Sequence, residues 1–132
     1  LLTITYINVI DNRVKNIFAI LVLSVFFLIP AIGSAGEGPM PLPKGSKAEA
    51  VKHNKEGIDH WNQGHYDVAL KHFSAASKAD GSSGEIHFNE AISYDKLGQH
   101  GVATKHFGVA LKKAKGNKKL LNSPILKGHL GM

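Results

Sequence analysis

The stretch GHYDVALKHF at 64–73 returns as GQHGVATKHF at 98–107, with six of the ten positions identical. The two stretches are offset by 98 − 64 = 34 residues. Other identical pairs with this offset include His53 with His87, Ile58 with Ile92, Ala76 with Ala110, and Lys78 with Lys112. A repeat of this length predicts stacked units of regular structure, because each unit buries its apolar face against the next.

Each unit has the pattern of a helix, a tight turn and a second helix. In the first unit SKAE at 46–49 has the form of a capping box, Gly64 interrupts the apolar pattern, and a second helix is predicted over 66–79. The second unit begins likewise, with SSGE at 82–85 in the form of a capping box, and turns at Gly98. We therefore predict two helical hairpins.

Small residues occupy equivalent places in the two units. Such residues let paired helices approach closely, while a phenylalanine in each second helix fills the space between hairpins. The small pairs are Gly57 with Ala91 and Ala69 with Ala103, and the phenylalanines are Phe73 and Phe107.

The repeat resembles the tetratricopeptide repeat (TPR) family over residues 47–115, in its unit length and its Ala-x-x-x-Phe pairs. The resemblance implies an all-α fold, with repeat 1 at about 50–83 and repeat 2 at about 84–117 in a right-handed α-solenoid. The chain departs from the family pattern at three places in each unit. Histidine replaces the first-helix Trp (His53, His87), glutamate replaces a Leu (Glu56, Glu90), and Gly81 and Lys115 replace the closing Pro.

A short C-terminal helix is predicted over 124–130, where Ser123 offers an N-cap and Pro124 suits the first helical position. This helix would cover the end of the repeats and complete a domain over 46–132. Because three repeats are usually needed for a stable array, we expect self-association into a homo-oligomer or a binding partner.

The N-terminal part has the pattern of an export signal. A basic flank, an apolar run at 17–29, Pro30 and small residues predict a bacterial signal peptide at 14–35, cleaved after Ala35. Residues 1–12 fit no part of such a signal, and residues 1–13 are expected to lie outside the true reading start, at Val14. The protein is thus expected to be periplasmic or secreted; the alternative is an uncleaved membrane anchor.

Between the signal and the domain, residues 36–45 are rich in Gly and Pro, which predicts an extended, mobile linker.

Composition excludes several classes of protein. The chain has no cysteine, so disulfides, thiolate metal sites and covalent haem are ruled out. Its net charge of +6 comes from lysine with a single arginine, which disfavours nucleic acid as a partner. The lysine run at 112–119 is interpreted as a solvated face, with anionic lipid or nucleic acid as the alternative. No catalytic motif is present, and we expect neither an enzyme nor a cofactor.

The TPR resemblance implies that the first helix of each hairpin offers a concave face to a protein or peptide partner. Asn89 matches a family asparagine that bonds the ligand backbone, a role suited to an amide because it both donates and accepts. The alternative is that Asn89 is an exposed polar residue and that the aromatic residues pack between hairpins. The candidate partner-binding residues are Asn54, Ile58, Trp61, Asn62, Phe88, Asn89, Ile92 and Asp95.

The eight histidines raise an alternative function, a metal-binding or metal-delivery protein. His72 and His106 are expected to face the same way on neighbouring second helices. No histidine pair has the three- or four-residue spacing that brings two ligands together on one helix, and no cysteine completes a set. We therefore assign no metal ligand from the sequence, and the leading hypothesis is a non-catalytic interaction or scaffold protein of the cell envelope.

Overall fold

The structure, a computed structural model, describes residues 36–132. The predicted signal peptide and reading start lie outside these residues. Within them the chain is helical and has no strand, which confirms the all-α prediction. Six helices follow in order: α1 (Ala48–Asn62), α2 (Tyr66–Ala79), α3 (Gly84–Lys96), α4 (His100–Lys112), α5 (Lys118–Leu121) and α6 (Pro124–Leu130).

Helices α1 and α2 pack together as one hairpin, and α3 and α4 as a second. The turns contain Gly64 and Gly98, with φ of 80° and 75°. Positive φ values are costly for residues with a Cβ atom, so glycine is favoured at both turns. The two equivalent turns of the sequence repeat therefore have the same backbone conformation at their glycines.

The core contains the small and aromatic residues that recur between the units. Phe73 and Phe107 are fully buried, as are Ala69 and Ala103. At Gly57 a Cβ atom would lie 2.5 Å from the Cε1 atom of Phe73. The absence of a side chain at this position is what allows the ring to fit against α1.

The first helix starts differently from the prediction. Its N-cap is Lys47 and no side chain caps it, so the expected capping box at 46–49 is wrong. The Ser46 hydroxyl instead donates to the carbonyl of Pro43 at 2.9 Å. The Lys47 N–H donates to Asp80 Oδ2 at 3.1 Å, and this bond ties the start of the first hairpin to its end. The capping box expected at 82–85 is also wrong, because the N-cap of α3 is Ser83, one residue later, and its side chain accepts from the Ile86 N–H.

The C-terminal helix covers the predicted range, with Ser123 as its N-cap and Pro124 in its first turn. It packs on α4, where the His129 and Phe107 ring centroids are 4.8 Å apart. The short helix α5, which the sequence pattern does not predict, joins α4 to α6. In the part of the chain that the structure describes, no helix has the length and apolarity to cross a membrane.

The Gly/Pro-rich composition predicts a mobile linker at 36–45, but residues 37–42 lie against the helices, outside any helix or strand. Met40 is only 2% exposed. The difference arises because Met40 supplies an apolar side chain that the domain buries, whereas composition reports only the backbone preferences of Gly and Pro.

Candidate peptide-binding groove

Residues 37–42, which we call the groove segment, contact α1, α3 and α6. We call the surface beneath them the groove. Helices α1 and α3 are the first helices of the two hairpins, so the groove lies on the side of the repeats that sequence analysis assigns to partner binding. The occupant of the groove is a segment of the same chain.

Two buried asparagines hold the backbone of Met40. Asn89 Oδ1 accepts from the Met40 N–H at 2.7 Å, and Asn89 Nδ2 donates to the Met40 carbonyl, also at 2.7 Å. Asn54 Nδ2 donates to the same carbonyl at 3.1 Å. The two amides are also joined to each other, because Asn89 Nδ2 donates to Asn54 Oδ1 at 2.8 Å. Every polar group of the Met40 backbone is thus paired.

The burial of these amides makes their bonds important for stability. Asn54 is 2% exposed and Asn89 is fully buried. A buried amide without a partner costs about 1–3 kcal/mol, so the two asparagines stabilise the domain only while a backbone lies between them. The groove therefore has a built-in preference for an extended chain.

The rest of the groove segment lies along α1. Pro41 and Leu42 border a cleft of about 230 Å³ whose other side is formed by α1. The α1 residues that line the cleft are Val51, Asn54, Lys55 and Ile58, and Val51 is 44% exposed. This cleft leaves apolar surface of the groove available beside the segment.

Trp61 lies next to the start of the segment. A Cβ atom at Gly38 would lie 3.9 Å from the Trp61 Nε1 atom, and the Trp61 ring packs edge-on against Tyr66 at 4.7 Å between centroids. Since Trp61 is the one tryptophan in the sequence, its fluorescence reports on this end of the groove.

Glu37 anchors the segment to the C-terminal helix. Its Oε2 atom accepts from the Ser123 hydroxyl and from the Ile125 N–H, each at 2.8 Å. A carboxylate at a helix N-terminus satisfies unpaired backbone N–H groups and interacts favourably with the helix dipole. Glu37 thus joins the beginning of the described chain to its last helix.

The predicted partner-binding residues fall into two groups. Asn54, Asn89, Ile58 and Trp61 border the groove segment. The other four lie elsewhere: Phe88 and Ile92 are buried in the core, Asn62 is exposed, and Asp95 accepts from His100 and His129 at 2.7 and 2.9 Å. Met40 and Glu37 were missed because a Gly/Pro-rich stretch gives no signal for docking.

The histidines also come together, which the sequence did not indicate. Three groups, each of two histidines and one carboxylate, have side-chain donor atoms within 4.8 Å of one another. Two of these groups join the first and second helices of a hairpin. Spacing along one helix cannot show ligands that converge from two helices, so the sequence pattern does not predict these groups.

Comparison with protein-family models and with curated proteins gives no match. The candidate site therefore rests on the geometry of the described residues. That geometry includes a groove in which two amides bind a backbone.

Proposed function

We propose that this chain is a non-catalytic TPR-type scaffold protein of the cell envelope, whose groove binds an extended peptide segment. The bound segment is residues 37–42 of its own chain or a corresponding segment of a protein partner. The signal-peptide pattern at 14–35 supports an envelope location, and the 34-residue repeat supports the TPR-type arrangement.

The observation that carries this proposal is the pairing of both Met40 backbone groups with Asn89. Backbone groups are common to every peptide, so such a pair selects an extended conformation and not a particular side chain. Selectivity comes from the places beside the amides, where the Met40 side chain is buried and Pro41 and Leu42 contact α1. A partner segment with a medium-sized apolar residue between prolines meets these requirements.

The proposal is tested by emptying the groove and refilling it with a synthetic peptide. In Met40→Asp, docking of the segment would bury a charge, so the segment is expected to leave the groove and Trp61 emission to shift to longer wavelength. A peptide with the sequence of residues 36–44 is then titrated into this variant. Saturable reversal of the shift is the expected result.

The same titration in Met40→Asp/Asn89→Ala should show binding at least tenfold weaker, since the peptide loses both bonds to Asn89. Met40→Asp/Asn62→Ala is the matched control, because Asn62 is an exposed asparagine on α1. Equal binding by the Asn89 variant and the control would contradict the proposed binding mode. Failure of the peptide to bind Met40→Asp would contradict the groove as a peptide site.

A further inference from the structure

Each hairpin contains a triad of two histidines and one glutamate. The outer triad is His53, Glu56 and His72, and the inner triad is His87, Glu90 and His106. Each member of one triad lies 34 residues from its counterpart in the other, so the triad is part of the repeat. In both, the first histidine and the glutamate lie on the first helix and the second histidine lies on the second helix.

We propose that each triad binds a divalent transition-metal ion through two imidazole nitrogens and one carboxylate oxygen. The ion would join the two helices of its hairpin. The two sites would be alike because the repeat brings the same donors together twice. The donors of the two triads are distinct from the amides of the groove, since neither Asn54 nor Asn89 belongs to a triad.

The distances from the carboxylate oxygen to the two imidazole nitrogens match those around a single ion, and all three donor atoms of each triad lie within 4.8 Å of one another. Glutamate Oε2 lies 3.3 and 3.1 Å from the two Nδ1 atoms in the outer triad, and 3.2 Å from both Nδ1 atoms in the inner triad. Tetrahedral ligation with bonds of about 2.0–2.1 Å separates neighbouring donors by about 3.3 Å. Little movement is needed for the three atoms to share an ion.

Hydrogen bonding in the inner triad requires positive charge between the donors. His87 Nε2 lies 3.0 Å from the Gly81 carbonyl, which can only accept, so this nitrogen carries the hydrogen. His87 Nδ1 then faces Glu90 Oε2 with a lone pair unless it binds a proton or a metal ion. A metal-bound histidine whose other nitrogen donates to a carbonyl is the usual arrangement in metalloproteins.

In each triad one histidine nitrogen lies close to the carboxylate without a hydrogen bond: that of His106 in the inner triad and that of His53 in the outer triad. His106 Nδ1 is buried and has no hydrogen-bond partner among the described residues, although it lies 3.2 Å from Glu90 Oε2. The contact is short but the N–H direction does not fit. His53 Nδ1 in the outer triad is in the same situation, at 3.3 Å from Glu56 Oε2. Buried nitrogens left unpaired in this way are suited to coordination.

Neighbouring groups hold the donors in place. His60 stacks on His72 at 5.3 Å, and Tyr94, its counterpart in the repeat, packs on His106 at 5.0 Å. In the inner triad the Ser74 hydroxyl donates to Glu90 Oε1 at 3.2 Å, which leaves Oε2 directed at the histidines. Such supporting contacts fix the orientation of ligands.

The donor set indicates the class of ion. Two imidazoles and a carboxylate, without thiolate, suit Zn²⁺, Cu²⁺, Ni²⁺ or Fe²⁺ and disfavour Ca²⁺ and Mg²⁺, which prefer oxygen donors. Three protein ligands leave at least one coordination position for water. We take Zn²⁺ as the probe.

The test is isothermal titration calorimetry of the full chain, made without a histidine tag, with Zn²⁺ at pH 7.5. The reference is His65→Asn/His100→Asn, which removes two histidines outside the triads and dismantles the third group, formed by His100 with Asp95 and His129. We expect this reference to bind two ions. In the same background we add either His53→Asn/His72→Asn or His87→Asn/His106→Asn. Each of these proteins should bind one ion, because the zinc affinity of the altered triad falls on the order of 100-fold or more.

X-ray absorption at the zinc edge of the reference should show two imidazoles per ion, and this measurement does not depend on whether the other variants fold. Zinc binding should also release protons, measured in buffers of different ionisation enthalpy, because an imidazole must be free of a proton at the nitrogen that binds the ion. Two results would overturn the proposal. One is an unchanged number of bound ions in both double variants when circular dichroism shows that they remain helical. The other is an average near one imidazole per ion in the X-ray absorption measurement.

Discussion

Asn89 bonds both the N–H and the carbonyl of Met40, a residue 49 positions earlier in the chain. One side chain thereby fixes the conformation of an otherwise irregular segment. The groove segment and the helices depend on each other, because the Asn89 amide is fully buried and its hydrogen-bond partners are the Met40 backbone and the Asn54 side chain. Loss of either side leaves buried polar groups unpaired.

Replacing Asn89 with Ala should therefore release the groove segment. We expect the free energy of unfolding to fall by about 1–3 kcal/mol, since the Met40 N–H loses its partner and its carbonyl keeps only Asn54. Amide hydrogen exchange at Met40 should accelerate strongly. Exchange in α4 should accelerate only as much as the lower free energy of unfolding requires. In Asn62→Ala the Met40 amide should stay protected from exchange. Similar exchange rates at Met40 in the two variants would show that Asn89 does not hold the Met40 backbone.

Gly57 and Gly108 should respond in opposite directions to alanine. A Cβ at Gly57 would lie 2.5 Å from the Phe73 ring, so Gly57→Ala should destabilise the domain by roughly 1–3 kcal/mol. At Gly108, inside α4, a Cβ meets no atom within 4 Å, and Gly108→Ala should stabilise by about 0.5–1 kcal/mol through helix propensity. Thermal melting of both variants measures the difference. A Gly57→Ala protein as stable as the parent would mean that the helices are not so closely packed.

The inner triad should make the free energy of unfolding depend on pH in the acid range. Burial alone would raise the pKa of Glu90, but His106 and His87 more than offset this and lower it from 4.5 to about 2. Because the folded state binds the proton less readily than the unfolded state, the contribution of Glu90 is present above pH 4.5 and is lost between pH 4.5 and 2. It amounts to roughly 3 kcal/mol at most.

Guanidinium unfolding of metal-free wild type and Glu90→Gln at pH 5 and at pH 2.5 tests this expectation. The wild type should be the more stable protein at pH 5, and its advantage should shrink at pH 2.5. Glu37→Gln is a suitable comparison, since Glu37 bonds an N-cap and a backbone N–H and has no histidine partner among the described residues. An advantage that is the same at both pH values would show that ionised Glu90 contributes nothing.

Ser74→Ala should weaken zinc binding at the inner site about tenfold and leave the outer site unchanged. The hydroxyl donates to Glu90 Oε1 and orients the carboxylate without touching the proposed ion. Titration in the His53→Asn/His72→Asn background isolates the inner site. Ser77→Ala, on the same helix, is the control. Equal affinities in the two serine variants would remove the positioning role of Ser74.

The sequence predicts the helices well because the repeat supplies each pattern twice. Helix α2 and the C-terminal helix have the predicted bounds, and the turns lie at Gly64 and Gly98. In these elements local preference and burial agree, since glycine takes a positive φ and the periodic apolar residues form the core. The prediction fails at Ser46, where a loop carbonyl competes for the hydroxyl that a capping box would use.

Contacts between distant parts of the chain could not be predicted in the same way. Asn89 was chosen for a backbone-binding role, but nothing in its neighbourhood indicates that Met40 would meet it. The histidine triads depend on the rotation of α1 against α2, which brings His72 to Glu56. Contacts of this kind depend on the angle at which two helices pack, and the spacing of apolar residues along each helix does not determine that angle.

The bond between Glu37 and the start of α6 also constrains the order of folding. Glu37 is synthesised early, yet its partners Ser123 and Ile125 lie 86 and 88 positions later. The hairpins contain mainly local contacts and can form as they leave the ribosome, whereas this link must wait for the last helix. We therefore expect nascent chains to bind Met40 between α1 and α3 first, and to complete the Glu37 link only once α6 has been made.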